Sequence, residues 1–430
     1  MLDFKTIHKD PVGVRENIAR RHKEQYLSDF DALVKVDEQF RRKQRELDNL
    51  RSEHNKMTRK IAEAMNKGGD VTALQSDASK IVQQIGALES EVRRLGEDRM
   101  HLVERVPNLL DPSVPDGLDE SNNVVVKTAG QIREAGFPLK SHVDLLESLD
   151  LADLERAAKI AGARHYFLKN DLVFLDFALS RFALDLLTKK GFTPIVPPEM
   201  MRADVYRGVT PLADFADVMY KVQDEDEYLI ATSEHPLVAM HADELFEETD
   251  LPLRYVGYSV NFRKEAGAHG KDTKGIFRVH TFNKVEQVVF CKPDDSPKML
   301  TELLANAEEI FSLLGIPYRV IEICSGDISP KNARQFDIEA WMPAQRAYRE
   351  VVSTSNCTSY QAASLGIRYR AKATKQKEYV HTLNSTAVAT TRTLVAILEN
   401  FQTSDGRVKI PDVLVSYMNG REYIEKRTQI

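Results

Sequence analysis

The chain has 430 residues, 42% hydrophobic and 29% charged, enough apolar material to bury a large core across two or three domains. Its formal net charge of −6 excludes a protein that coats nucleic acid non-specifically. No apolar run approaches a membrane span, and MLDFKTIHKD lacks the order of a signal peptide, so no membrane partner and a cytoplasmic location are expected.

The N-terminal third reads as a helical hairpin. Leu33, Val36, Phe40, Leu47, Leu50, Met57, Ile61 and Ala64 follow a 3,4 spacing, interrupted at Lys43 and His54. Leu74, Ala78, Ile81, Ile85, Leu88, Val92, Leu95, Leu102 and Val106 repeat it, interrupted at Arg99. Asn66 to Asp70, NKGGD, supplies the turn, and Pro107 helps stop the second helix. Thirty residues of helix reach roughly 45 Å, and so thin an arm serves reach rather than a pocket. Residues 41–60 carry eight basic residues, Arg41, Arg42, Lys43, Arg45, Arg51, Lys56, Arg59 and Lys60, against Glu46, Asp48 and Glu53. Such a stripe is either a solvated flank or a grip on a polyanion.

Residues from about 111 to 165, rich early on in Pro, Gly, Asp and Asn, read as linker and surface structure. After Phe167 helix and strand mix. LVFLDFALSRFALDLLTKKGFTPIVPPEM reads as an amphipathic helix, a glycine stop at Gly191 and a short strand ending at Pro197 and Pro198. In YLIATSEHPLVAMHADE, alternation puts Thr232 and Glu234 on one face of a strand that Pro236 ends. A hydroxyl beside a carboxylate is either a cradle for an ammonium or an exposed strand end.

From Tyr255 to Phe290 two alternating strands flank a glycine-bearing loop. Val256, Tyr258, Val260 and Phe262 share one side of the first, and Ser259, Asn261, Arg263 and Glu265 the other. Phe277, Val279 and Val285 oppose Arg278, His280, Phe282, Lys284 and Glu286 in the second. Paired antiparallel, the two strands bring arginines, carboxylates and an aromatic ring onto one surface. That surface is either a solvated face or a floor for a nucleotide, which needs guanidinium for phosphate, a ring for stacking and acceptors for amino groups. Farther on, ARQFDIEAWMPAQRAYREVVSTSNCTSYQAASLGIRYR contains two strands and a turn into helix. VHTLNSTAVATTRTLVAILENFQ reads as a strand leading into a capped helix, with Arg392 at the edge of its buried stripe.

FRKEAGAHGKDTKGIFRVHTFNKVEQ resembles motif 2 of class II aminoacyl-tRNA synthetases and is most similar to seryl-tRNA synthetase. The paired helices, MLDFKTIHKDPVGVRENIARR and VPNLLDPSVPDGLDESNNVVV resemble that family's tRNA-binding arm and linker. The 172–200 segment resembles motif 1, TSE the family's TxE element, and Arg392 the arginine of motif 3. The resemblance implies an α+β fold: a class II synthetase antiparallel sheet flanked by helices, preceded by a long antiparallel α-helical coiled-coil arm. Residues 1–110 would be the arm, 111–165 a linker and surface segment, and 166–430 the catalytic domain.

What the resemblance implies for function is activation of L-serine by ATP to seryl-adenylate and transfer to serine tRNA, activity on selenocysteine tRNA being left open. Thr232, Ser233, Glu234, Arg263, Glu286 and Thr386 would bind L-serine. Arg263, Lys264, Glu265, Arg278, Val279, Phe282, Glu350, Val351, Val352, Ser353 and Arg392 would bind ATP. Arg263 and Arg392 would be catalytic, with Arg263 on the α-phosphate. Phe282 would stack on adenine and Glu265 accept from its amine. Glu350 and Ser353 would hold Mg2+ with ATP. Residues three apart in a straight strand face opposite ways, so that role requires a twist or bulge near Val352. Arg41, Arg42, Arg45, Arg51, Lys56 and Arg59 would contact tRNA, read by shape, and motif 1 would form a homodimer. Departures from the family pattern are Ala231 where proline is expected, and Ser385, Ala387 and Thr391 where many relatives carry glycine.

Activation needs no protein nucleophile, because the substrate carboxylate attacks the α-phosphorus. No zinc is expected: Cys291, Cys324 and Cys357 form no CxxC pair, His235 and His241 lack zinc-ligand spacing on a helix face, and His269 reads as part of a mobile loop. Two other readings stay open: a catalytically inactive tRNA-binding scaffold, and a ligase charging a different acceptor.

Overall fold

The computed structural model describes residues 1–210, 218–265 and 274–427. They form two compact units, one of residues 4–107 and one of residues 1–3 with 108–430.

The smaller unit is built on two long helices, α1 (Glu24–Asn66) and α2 (Thr72–Arg105). At 43 residues, α1 is about 65 Å long. It exceeds the span expected from the heptads because helix begins nine residues before Leu33, with Phe30 buried ahead of it. Leu47, Leu88 and Val92 form a buried seam flanked by Phe40, Leu50 and Ile85. At the turn, Gly68 adopts φ +68°, a conformation glycine takes without penalty, and Asp70 accepts from the Thr72 amide and hydroxyl at 2.9 and 2.6 Å. Two of the heptad interruptions, Arg99 and Lys43, have side-chain partners. Arg99 pairs with buried Asp37 at 2.7 Å, its guanidinium 3.5 Å from the Phe4 ring centroid. Lys43 pairs with Glu46 and Glu91. Of the six arginines and lysines expected to meet tRNA, all are exposed. Arg51 is paired with Glu89 at 2.8 Å, Arg41 lies 4.0 Å from Asp37, and Arg45 donates to the Arg41 carbonyl.

The larger unit centres on an eight-stranded sheet of β1 (Val124–Ala129), β2 (Thr193–Ile195), β3 (Leu253–Phe262), β4 (Thr281–Cys291), β5 (Tyr318–Glu322), β6 (Arg334–Met342), β7 (Ala347–Thr358) and β8 (His381–Ala389), ordered β1-β5-β6-β7-β8-β4-β3-β2. Every neighbouring pair is antiparallel except β2 with β3. The segment read as a linker therefore supplies the edge strand β1.

Three helices bury their apolar faces in one core with the sheet. They are α3 (Asp171–Lys189) and, beyond the short α4 (Glu234–Ala239), α5 (Ser296–Leu314) and α6 (Thr390–Asn400). Alternation along β4 divides its residues. Val285 and Val289 join that core, and Gln287 donates to the Leu303 carbonyl and accepts from Asn306 on α5. Lys284 and Glu286 point the other way, into a cavity.

Three local expectations are corrected. Phe277 to His280 is not strand, and β4 begins at Thr281. Glu234 opens a helix rather than sitting on a strand, because the Thr232 hydroxyl accepts from its amide at 3.2 Å and turns the chain. Helix α6 has no side-chain cap. All three cysteines are buried.

Candidate active site

A cavity of about 390 Å³ opens on the sheet face opposite α5. Its deepest corner comes from register. Glu286 on β4 lies across from Thr386 on β8 and is fully buried. Its carboxylate accepts from the Thr386 hydroxyl at 3.0 Å, the Asn384 amide at 3.1 Å and the Lys284 ammonium at 2.7 Å. Lys284 also donates to the Thr232 hydroxyl at 2.6 Å. Burial pulls the Lys284 pKa down, with the Glu286 charge opposing it. A hydroxyl, an amide, an ammonium and a carboxylate thus crowd one corner, a set that reads small polar groups by hydrogen bonding.

Beside it stands Glu234. Its Oε1 accepts from the Lys331 ammonium and, at 2.8 Å, from Gln361 Nε2. Burial is the largest influence and would raise this carboxyl, but the Lys331 charge and the hydrogen bonds from Lys331 and Gln361 act together against it and hold Glu234 at about 2. His235 turns to Tyr206, Nδ1 to hydroxyl at 2.6 Å, and burial pushes it down to about 3, so it is neutral. His241 is shared between Glu244 and Tyr255. His269 lies outside the described residues.

Toward the cavity mouth the charged groups are paired. Arg278 binds Glu265 at 3.0 Å, and Glu265 itself holds φ +50°, a conformation rare for a non-glycine residue. Arg392 binds Glu350 at 3.1 Å, and its donor also reaches the Glu350 carbonyl. Arg263 donates to the Ala231 carbonyl at 3.2 Å and lies 5.2 Å from the Phe282 ring centroid. Burial, then the Arg392 charge, lower its pKa, but a guanidinium keeps its proton.

Glu350 and Ser353 both line the cavity because β7 is bulged: Ile338 pairs with Val352 and Glu339 with Glu350, leaving Val351 as the extra residue. The Ser353 hydroxyl accepts from Gln335 at 3.1 Å. Behind it, burial and the Glu350 charge push Asp337 up to about 8.

Thr232, Glu234, Arg263, Glu265, Arg278, Val279 and Phe282 line this one cavity, and so do Glu286, Glu350, Val351, Ser353, Thr386 and Arg392. Three expected site residues do not. Ser233 is buried against Gly257, donating to its carbonyl at 3.5 Å. Val352 faces the helical core, since the bulge turns only its neighbours inward. Lys264 stands at the start of the turn after β3, its amide donating to the Val218 carbonyl, outside the lining. The positions where glycine was expected, Ser385, Ala387 and Thr391, have no positive φ, so the backbone demands none. Sequence reasoning assigned no role to Lys284, Lys331, Gln361 or Asn384. Lys284 was signalled by its place on the inward face of β4, whereas Lys331 lies in the loop after β5 with no local periodicity to mark it.

Residues 1–110 match the seryl-tRNA synthetase N-terminal domain, and residues 220–401 the tRNA synthetase class II core domain (G, H, P, S and T). A serine–tRNA ligase of Methanocella arvoryzae is 52% identical over 99% of this chain and 100% of its own. Among solved structures, the chain resembles seryl-tRNA synthetase from Pyrococcus horikoshii complexed with ATP, with TM-score 0.94 and 47% identity over 100% of both chains. It also resembles cytoplasmic serine–tRNA ligase from Naegleria fowleri in complex with AMP, with TM-score 0.85 and 37% identity over 96% of this chain and 95% of that one. With close relatives matched along their whole length and the same sheet and arm, the chain belongs to the seryl-tRNA synthetase family of class II aminoacyl-tRNA synthetases.

Proposed function

We propose that this enzyme activates L-serine with ATP and transfers it to serine tRNA. The observation that supports the reading is one continuous cavity joining the corner of Glu286, Thr386 and Thr232 to Arg263, Arg278 and Arg392. The serine hydroxyl and ammonium would meet Glu286, Thr386, Thr232 and Glu234. A site built to hydrogen-bond a hydroxyl discriminates strongly against alanine, which leaves its polar groups unpaired.

The serine carboxylate attacks the α-phosphorus of ATP, the bond to the bridging oxygen breaks, and pyrophosphate leaves with the electron pair. Arg263 stabilises the charge on the α-phosphoryl oxygens. The pairs Arg278–Glu265 and Arg392–Glu350 hold the remaining guanidinium groups ready. Phosphates taking over these donors release Glu265 toward the adenine amine and Glu350 toward a cation, with Phe282 against the base. In the second step a hydroxyl of the terminal tRNA ribose attacks the adenylate carbonyl and AMP departs.

Glu350 and Ser353 supply hard oxygen donors at the cavity, which fit magnesium shared with ATP phosphates. Among the described residues no group of three or more His, Cys, Asp or Glu could hold a metal by itself. Bound there, magnesium would neutralise charge on the leaving pyrophosphate.

On this reading residues 1–110 grip tRNA through the basic stripe, residues 111–165 complete the sheet edge through β1, and residues 166–430 carry catalysis as a homodimer through α3 and β2. The Phe174 and Phe177 side chains, 46% and 57% exposed on α3, suit such an interface. Among the described residues no helix is long and apolar enough to cross a membrane, and the cytoplasm is the place of work we assign. The test is pyrophosphate exchange with each amino acid in turn, then charging of serine and selenocysteine tRNA. Serine-dependent exchange followed by charging is expected. Folded protein without exchange would mark an inactive scaffold, and exchange with a different amino acid would overturn the pocket assignment.

A further inference from the structure

Lys331 has a built environment inside the cavity. Its backbone is pinned by Asn108, whose amide donates to the Pro330 carbonyl at 2.8 Å and whose side chain donates to the Lys331 carbonyl at 3.0 Å. The ammonium lies against Glu234 with 12% and 4% of the two side chains exposed. Gln361 reaches the same oxygen, oriented by the Thr382 hydroxyl, which donates to its carbonyl at 2.6 Å. Both donors therefore converge on Oε1 of Glu234, and the other carboxylate oxygen is committed to neither. We propose that Lys331 is a positioning residue for amino-acid recognition: by ion pairing with one oxygen of Glu234 it keeps that carboxylate charged and in one rotamer, so that the other oxygen receives the substrate ammonium. The inference rests on the serine-binding reading of Glu234 above.

Among the described residues, no other charged group facing Glu234 does this. His235 is neutral and turned to Tyr206, a hydroxyl. Lys284 is engaged by Glu286 and Thr232. The Cys357 thiol is pushed up to about 12 by burial and carries no charge. Without Lys331, burial dominates and Glu234 takes up a proton, which must be lost before an ammonium can bind.

The experiment compares Lys331→Met and Lys331→Arg with the unmodified full-length enzyme in pyrophosphate exchange between about pH 6 and 8.5. Lys331→Met is expected to raise KM for serine about tenfold or more near neutrality, with KM for ATP within about twofold. The excess should shrink as pH rises, because the unpaired Glu234 ionises only there. Lys331→Arg should restore a serine KM without that pH dependence, which a merely structural role would not predict. If Lys331→Met does not fold, Gln361→Leu supplies the readout: a smaller rise in serine KM with no pH dependence. Equal rises in both KM values, or an unchanged serine KM, would overturn the proposal while leaving the function standing. Absence of serine-dependent exchange in the unmodified enzyme would remove both.

Discussion

Replacing Glu286 by glutamine keeps the side-chain shape and removes its charge. The carboxylate accepts three bonds, from Thr386, Asn384 and Lys284. Rotation of the Thr386 hydroxyl or the Asn384 amide can adapt to the new NH2, but Lys284 has only donors. Its side chain, 6% exposed, loses its charge partner and keeps the Thr232 hydroxyl. Breaking a buried pair from one side costs about 3–5 kcal/mol, the lower end applying here because burial already pulls the Lys284 pKa down and the group can discharge. That gives the deficit a pH dependence. A lysine whose folded pKa is depressed binds fewer protons folded than unfolded. Stability therefore rises with pH between the folded value and the unfolded one near 10.4, and the Glu286→Gln deficit narrows as the medium becomes alkaline. Denaturant midpoints at one fixed subunit concentration would be measured for Glu286→Gln, Lys284→Met and the double variant. The double is expected to be more stable than Glu286→Gln alone, with a coupling of at least about 1.5 kcal/mol. A Glu286→Gln loss below about 0.5 kcal/mol, or simple additivity, would refute the claim that this corner is held by a buried ion pair. Serine KM should rise roughly 10- to 100-fold with loss of charge-assisted bonds.

Arg392→Ala should lower pyrophosphate exchange by about a hundredfold or more, and an unchanged rate would remove this arginine from the phosphate site. Glu350→Gln is expected to raise the magnesium concentration needed for half-maximal exchange at fixed ATP, read from a metal titration. In Gly257→Ala the new Cβ would meet Leu237 Cδ1 and Ser233 Oγ, each at 2.7 Å; a thermal melt should show a loss of about 1–3 kcal/mol, and no loss would mean the strand can shift. Reversing Arg42 and Arg59 to glutamate should slow tRNA charging in a salt-dependent way while exchange, which needs no tRNA, stays unchanged; equal effects on both would argue against the arm as the grip.

Period-two alternation in β4 made the inward set Lys284 and Glu286 legible, and heptad spacing did the same for α1 and α2. The bulge in β7 was legible by contradiction, since Glu350 and Ser353 cannot share a cavity on a straight strand; it falls at Val351. Other features followed tertiary context. TSEHP reads as a strand end, but the Thr232 hydroxyl turns it into helix, which sends Ser233 into the core and Glu234 into the cavity. Phe277 to His280 alternates as a strand should, yet among the described residues it joins no strand ladder, with only His280 bonded through its backbone to Arg263 and Arg164, and it stays irregular.

By itself, the amino-acid sequence determined the long helical arm, the inward polar face of the β3–β4 hairpin, and a family resemblance carried by order and spacing over nearly the whole chain. Those properties are local or follow a short period, so they survive in one dimension. Only the tertiary structure decided which charge meets which: Lys331 with Glu234 across 97 positions, Arg392 with Glu350 across 42, and Val352 into the core beside two cavity-lining neighbours. Ion pairs between distant segments depend on strand register and loop placement, and neither composition nor periodicity encodes them.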